Sequence, residues 1–141
     1  MKPTPKGWPR IAAGVFYQDP ATAIDWLCRA FGFEVRIKVE GEGGSIVHSE
    51  LEYGDGLIMV AGVSEERGHQ SPRAFGGANT QNLFIYVDDL DAHLARATAA
   101  GAKITQEPAV SDYGEEYWTD RGYQAEDPEG HRWYIAQRLR G

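Results

Sequence analysis

Two stretches of this sequence follow one plan. When Tyr17 is laid on Tyr86, an apolar run ends at each tyrosine, an acidic residue follows two positions later (Asp19, Asp88), and a helix-like segment closes on a glycine (Gly32, Gly101). A solenoid needs three or more stacked units, so two copies of a unit this long point to a fold made of two similar halves. In 141 residues the two halves are small and are expected to share a core.

The elements between these anchors repeat in order. Ile11 to Tyr17 reads as a strand, after which Asp19-Pro20 offers an N-cap with proline at the first helical position. Ala23, Ile24, Leu27, Cys28 and Phe31 form a helical stripe suited to packing on a sheet, and Gly32 ends it. Val35 to Glu40 and Ser45 to Tyr53 are strands across a glycine-rich turn, and Leu57 to Ala61 is a third. The stretch from Gly62 to Asn79 has no periodicity and reads as a connector or a loop over a cleft. Leu83 to Val87 then opens a second strand-helix pair, whose helix from Asp89 to Ala100 turns Leu90, Leu94, Ala97 and Thr98 inward. Ile104 to Val110, interrupted by Pro108, fits only a sheet edge. Trp118 to Glu126, the Asp127-Pro128-Glu129-Gly130 turn and Arg132 to Ala136 complete a second β-α-β-β-β order. The reading is an α+β chain of two modules, 9–62 and 80–138, joined by a connector, 63–79.

Composition excludes several function classes. A net charge of −7 argues against nucleic acid, because phosphate binding draws on clustered Lys and Arg. Arg132, Arg138 and Arg140 read as a solvated basic tail. No apolar run reaches the ~18 residues of a membrane span, and Met1-Lys2-Pro3-Thr4-Pro5 lacks the apolar core of an export signal. The single Cys28 excludes an internal disulfide and is expected to be a small buried thiol. A cytoplasmic location suits it.

Three stretches carry a family resemblance. They are Phe16-Tyr17-Gln18-Asp19-Pro20 with Trp26 through Glu34, then Tyr86-Val87-Asp88-Asp89-Leu90-Asp91-Ala92 with Ala99 through Ala102, and Asp127-Pro128-Glu129-Gly130-His131-Arg132-Trp133. With Val47-His48-Ser49-Glu50-Leu51 they resemble the vicinal-oxygen-chelate superfamily, also called the glyoxalase, bleomycin-resistance and dioxygenase superfamily, and most of all its PhnB-like branch. The resemblance runs from about residue 9 to 137. It implies two βαβββ modules whose sheets curl into a barrel-like cup with helices outside, a cavity between the modules, and a homodimer.

The resemblance also implies a divalent metal held by one ligand near the start of each module's first strand and one on each last strand. Those positions fall here on Ala12, on Gln81 or Asn82, on Met59 or Val60, and on Tyr134. Such ions want imidazole or carboxylate, so the expectation is that no metal is bound there.

Other residues then carry the chemistry. His48 and Glu50 are two apart on a strand and share a face. Turned inward they form an acid-base pair or part of a substitute metal site; turned outward they are ordinary polar side chains facing water beside their cross-strand neighbours. His131 fits a structural role at its turn, while His69 and His93 read as solvated. Trp118, Tyr123, Trp133 and Tyr134, preceded by Tyr113 and Tyr117 and matched by Phe16 and Tyr17, are dense enough to suggest a pocket for a flat ligand, although for any single one core or dimer-interface packing is the better reading. Arg121 is either a clamp for a carboxylate or phenolate or a partner of Asp120 or Glu126. Asp112, Glu115, Glu116 and Asp120 read as a solvated acidic loop; the resemblance adds the alternative of a negative rim that concentrates cationic, planar organic ligands.

Two functions follow. In one, a metal-independent homodimer sequesters a planar or aromatic organic molecule, with Phe16, His48, Glu50, Trp118, Arg121, Tyr123 and Trp133 as candidate ligand contacts. In the other, a lyase, isomerase or dioxygenase uses one divalent metal ion displaced to His48 and Glu50, with Gln81 as a further candidate ligand. A scaffold with an empty cup is the third possibility.

Overall fold

The computed structural model describes residues 1–141, and the chain divides into two units, Met1–Ser71 and Pro72–Gly141. The first runs β1 (Ala13–Tyr17), α1 (Pro20–Phe31), β2 (Glu34–Glu40), β3 (Ile46–Tyr53) and β4 (Gly56–Gly62). The second runs β5 (Leu83–Tyr86), α2 (Leu90–Ala99), β6 (Lys103–Asp112), β7 (Thr119–Glu126) and β8 (Arg132–Arg140). Each is the expected βαβββ module. Each forms its own four-stranded mixed sheet, ordered β1-β4-β3-β2 and β5-β8-β7-β6, and no closed barrel forms. In both, the first strand lies parallel to the last and the other pairs are antiparallel.

Local chemistry sets the helices. The Asp19 carboxylate accepts from the Thr22 N–H at 3.2 Å, Pro20 fills the first turn, and Gly32 ends α1 in the left-handed region at φ 86°. Ala23, Ile24, Leu27 and Phe31 are buried as the stripe requires, on the side where the sheet presents Val15, Tyr17, Leu51, Ile58 and Val60. Each of the large aliphatic and phenylalanine side chains among them contributes about 1.5–3 kcal/mol by leaving water. Cys28, expected inside, is only half-buried. It lies at the stripe's edge, and Trp26 and Ala30 are buried instead, with the Trp26 ring folded edge-on against Phe31 at 4.9 Å.

The second helix corrects the repeat by one residue. Its N-cap is Asp89, whose carboxylate accepts from Ala92 N–H at 3.0 Å, so Asp89 rather than Asp88 corresponds to Asp19. Tyr86 therefore corresponds to Phe16, and Tyr17 to Val87. A one-residue slip exchanges faces: Tyr17 is fully buried against the helix side, whereas Tyr86 is 43% exposed on the other. On α2 the buried residues are Leu90, His93 and Ala97, while Thr98 is exposed. His93 is thus a core histidine, not a solvated one, because its spacing from Leu90 and Ala97 puts it on their face and Tyr123 Oη lies 2.7 Å from its Nδ1.

Strand β6 is the edge that Pro108 requires, with register shifts between Ile104, Gln106 and Ala109. The basic tail is not a tail. Strand β8 continues through Arg138 to Arg140, whose guanidinium bonds Gly114 O and Thr119 Oγ1. The turn before β8 is held by Asp127: one carboxylate oxygen accepts from Glu129 and His131 N–H groups and the other from the Trp133 indole, while Gly130 takes φ 89°. No helix is long and apolar enough to cross a membrane.

Candidate functional site

Each sheet has one face under its helix and one open face, and cross-strand register says which side chains share the open one. In the first unit Gly14 and Met59 pair, Met59 and Glu50 pair, and Phe16 pairs with Ala61. His48 joins them by strand alternation, across from Val39. The open face therefore carries Gly14, Phe16, His48, Glu50, Met59 and Ala61.

A groove of about 830 Å³ lies over it, lined among others by Gly14, Phe16, His48, Met59, Arg67 and His69. Phe16 can lie flat because Gly14 has no side chain; a Cβ there would come 3.2 Å from the Phe16 ring. His69 stacks on Phe16 with ring centroids 3.8 Å apart and planes 12° from parallel. It is held there by reciprocal backbone bonds with Ser64 of 2.8 and 2.9 Å, which close the loop containing Arg67. His69 is thus part of the groove wall rather than a solvated connector residue.

Beside the stack, His48 Nε2 lies 2.7 Å from Glu50 Oε2, and Arg36 donates to Glu50 Oε1 at 3.0 Å. Arg36 itself is tied to the Lys6 carbonyl at 2.8 Å. Glu50 is 5% exposed, whereas the His48 side chain is 41% exposed. The pair meets as strand alternation allows, buried at the carboxylate end and open at the imidazole end.

The second unit's open face is different. Phe84 pairs with Tyr134 and Tyr134 with Gln124; Tyr86 pairs with Ala136 and Ala136 with Gly122; Asp120 pairs with Arg138. The Phe84 ring lies 4.9 Å from both Tyr86 and Tyr134, and the Arg138 guanidinium sits 5.5 Å above Tyr86. Tyr86 Oη donates to Asp120 Oδ2 at 2.8 Å. Loss of water contact, then the Asp120 hydrogen bond and charge, raise the Tyr86 phenol above its usual range. Asp120 is not on a solvated loop: it is 1% exposed, and its Oδ1 has no partner. Asp112, Glu115 and Glu116 are exposed as expected.

The remaining candidates belong to the second unit. Tyr123 and Trp133 are fully buried on the helix-facing side of the second sheet, Tyr123 with His93 and Trp133 with Asp127. Arg121 shares that side and pairs with Asp91 of α2 at 2.9 Å, with neither Asp120 nor Glu126. Trp118 is half-exposed in a cluster with Tyr113 and Tyr117. His131 is buried at its turn. Sequence reasoning brought together Phe16, His48 and Glu50. It missed Arg36, whose place at a register shift of β2 no periodicity foretells, and His69, whose loop has none.

The positions that the resemblance assigns to a metal are poor in donors. Ala12, Met59 and Val60 offer no hard donor, and nowhere do three His, Cys, Asp or Glu side chains come together. Glu50 has one oxygen on the Arg36 guanidinium and the other beside His48 Nε2.

Comparison with known proteins places this geometry. A family model described as "Glyoxalase/Bleomycin resistance protein/Dioxygenase superfamily" matches residues 10–135. "Uncharacterized protein Mb0911c" of Mycobacterium bovis is 30% identical over 135 residues, 94% of this chain and 85% of that one. The crystal structure of TioX from Micromonospora sp. ML1 is similar at 32% identity and TM-score 0.70, covering 93% of this chain and 99% of that one. A superfamily member from Sphaerobacter thermophilus shares the fold at 16% identity and TM-score 0.68, covering 89% of this chain and 94% of that one.

Proposed function

Because the chain belongs to the glyoxalase/bleomycin resistance protein/dioxygenase superfamily, we propose that it is a metal-independent binding protein that holds a planar or aromatic organic molecule in the groove of its first unit. The observation that carries this reading is the groove itself: about 830 Å³, opposite the helix, walled by a flat Phe16–His69 stack with the His48–Glu50 pair beside it. A groove of this size suits a small organic ligand, and a flat ring wall suits a flat one. The donor set argues in the same direction, since Glu50 is already committed to Arg36.

Metal analysis of the purified protein, together with titration of flat aromatic probes before and after chelator treatment, tests it. The expected result is no stoichiometric metal and unchanged probe binding, weakened about tenfold or more by Phe16→Ala, equivalent to about 1.4 kcal/mol. One divalent ion per chain, lost with His48→Ala, supports instead the second reading that the 2.7 Å approach of His48 to Glu50 favours: a lyase, isomerase or dioxygenase with a displaced metal site. The PhnB-like branch, a homodimer and a cytoplasmic location belong to the same proposal; light scattering giving a single-chain mass removes the dimer from it.

A further inference from the structure

We propose that the groove of the first unit takes a weakly acidic hydroxyl on a flat ring, a phenol or an enol, and binds it as the anion with the proton held on His48. This deepens the binding reading and rests on it. Arg36 orders the pair. Its guanidinium donates to Glu50 Oε1 at 3.0 Å, so the carboxylate acts as an acceptor, and His48 must supply Nε2–H to Glu50 Oε2 at 2.7 Å. The tautomer is thereby set by the pair, leaving Nδ1 as the lone-pair nitrogen. Nothing in the chain bonds to that nitrogen, and the ring belongs to the groove wall. A directed base therefore faces ligand space, with a buried carboxylate behind it.

The proton balance is simple. The ligand O–H bond breaks, its electron pair stays on oxygen, and the proton passes to Nδ1, giving an imidazolium against the Glu50 carboxylate. No oxidant or second reactant is needed. The charged and titratable groups around His48 are Glu50 on its own strand, Arg36 on β2, and Asp19, Arg67 and His69 on the groove wall. Asp19 is occupied by Thr22. The Arg67 guanidinium makes no ion pair, so the groove keeps an uncommitted cation to meet the new anion although the whole chain carries −7. The Phe16–His69 stack supplies the flat wall.

The test uses 4-nitrophenol, whose phenolate band reports its ionisation, and nitrobenzene, which has the ring but no hydroxyl. The full chain is expected to bind both, and to lower the ionisation pKa of bound nitrophenol so that phenolate is favoured about tenfold over free solution. His48→Gln abolishes that displacement, and Glu50→Gln, which frees the imidazole to present either nitrogen, reduces it. Nitrobenzene bound but nitrophenol ionising as in free solution, or a displacement that survives His48→Gln, overturns this proposal and leaves the binding reading standing. Failure of both probes to bind overturns the binding reading and this one with it.

Discussion

The two units share an element order and differ on the faces their helices leave open. With Asp19 set on Asp89, Gly14 corresponds to Phe84, Phe16 to Tyr86, and Met59 to Tyr134. Carrying the pairing across to the third strand sets Glu50 against Gln124 and His48 against Gly122. The first unit thus has a small residue at its first strand and an ionisable pair on its third; the second has rings on its first and last strands and nothing ionisable at the matching third-strand positions. One backbone plan accepts both because strand alternation makes the open face independent of the core face. Chemistry can therefore be confined to one unit while both keep their cores.

The largest effects are expected at the cores, where the units differ at the turn before the last strand. Trp133 is fully buried and bonds Asp127, whose carboxylate also holds the turn. Ile58 stands at the matching last-strand position of the first unit, and its turn has no such anchor. Trp133→Ala is expected to cost about 3–5 kcal/mol in denaturant unfolding and Ile58→Ala about 2–5, towards the low end. Equal losses remove the asymmetry assigned to the turn. Next come the glycines that let rings lie across a strand. A Cβ at Gly122 would meet Tyr134 Oη at 2.7 Å and the Ile135 carbonyl at 2.9 Å, and the second of these is backbone that cannot swing away. Gly122→Ala should cost about 1–3 kcal/mol. At Gly14 the only close neighbour is the Phe16 ring, at 3.2 Å, so Gly14→Ala should cost less and lift that ring off the sheet. A near-ultraviolet circular dichroism change without much loss of stability is the outcome that keeps the distinction.

Much of this was legible in the residues, for reasons that also explain the failures. The helix caps, the βαβββ order and the edge strand at Pro108 are local signals, each fixed by a side chain acting on its own backbone. A period of two sets His48 and Glu50 on one face, though not which face that is. What failed was what crosses between elements. The repeat was anchored on Tyr86, and only the capping bond of Asp89 shows that the anchor is one residue off, which changes the face of every residue on β5. Arg121 and Asp120 are neighbours in sequence, yet alternation sends one to α2 and the other to Tyr86. Partners of that kind are chosen by packing, which no spacing rule contains.

The smallest expected effects are in pH dependence, and they separate the open face of the second unit from its rim. Tyr86 has its phenol raised above 10.0 by loss of water contact and by Asp120. A raised folded-state value means stability that is complete below 10.0 and is lost as pH climbs through the folded value. Tyr86→Phe should flatten that alkaline loss, while at neutral pH it costs about 1–2 kcal/mol because Asp120, already lacking a partner at Oδ1, then has none at Oδ2. At the rim the sign reverses. Asp112 is held below 3.8, first by the Gly114 N–H at 2.9 Å and then by Arg140, so its contribution exists above 3.8 and fades as pH falls through its folded value. It is exposed, so salt screens the Arg140 part but not the backbone hydrogen bond. Unfolding midpoints of Asp112→Ala, which removes both the charge and the acceptor for Gly114 N–H, should converge on the parent towards low pH, and the small gap at neutral pH should narrow in high salt without closing. A gap that salt erases entirely assigns the effect to Arg140 alone, and the turn at Gly114 then contributes nothing that the second sheet's edge depends on.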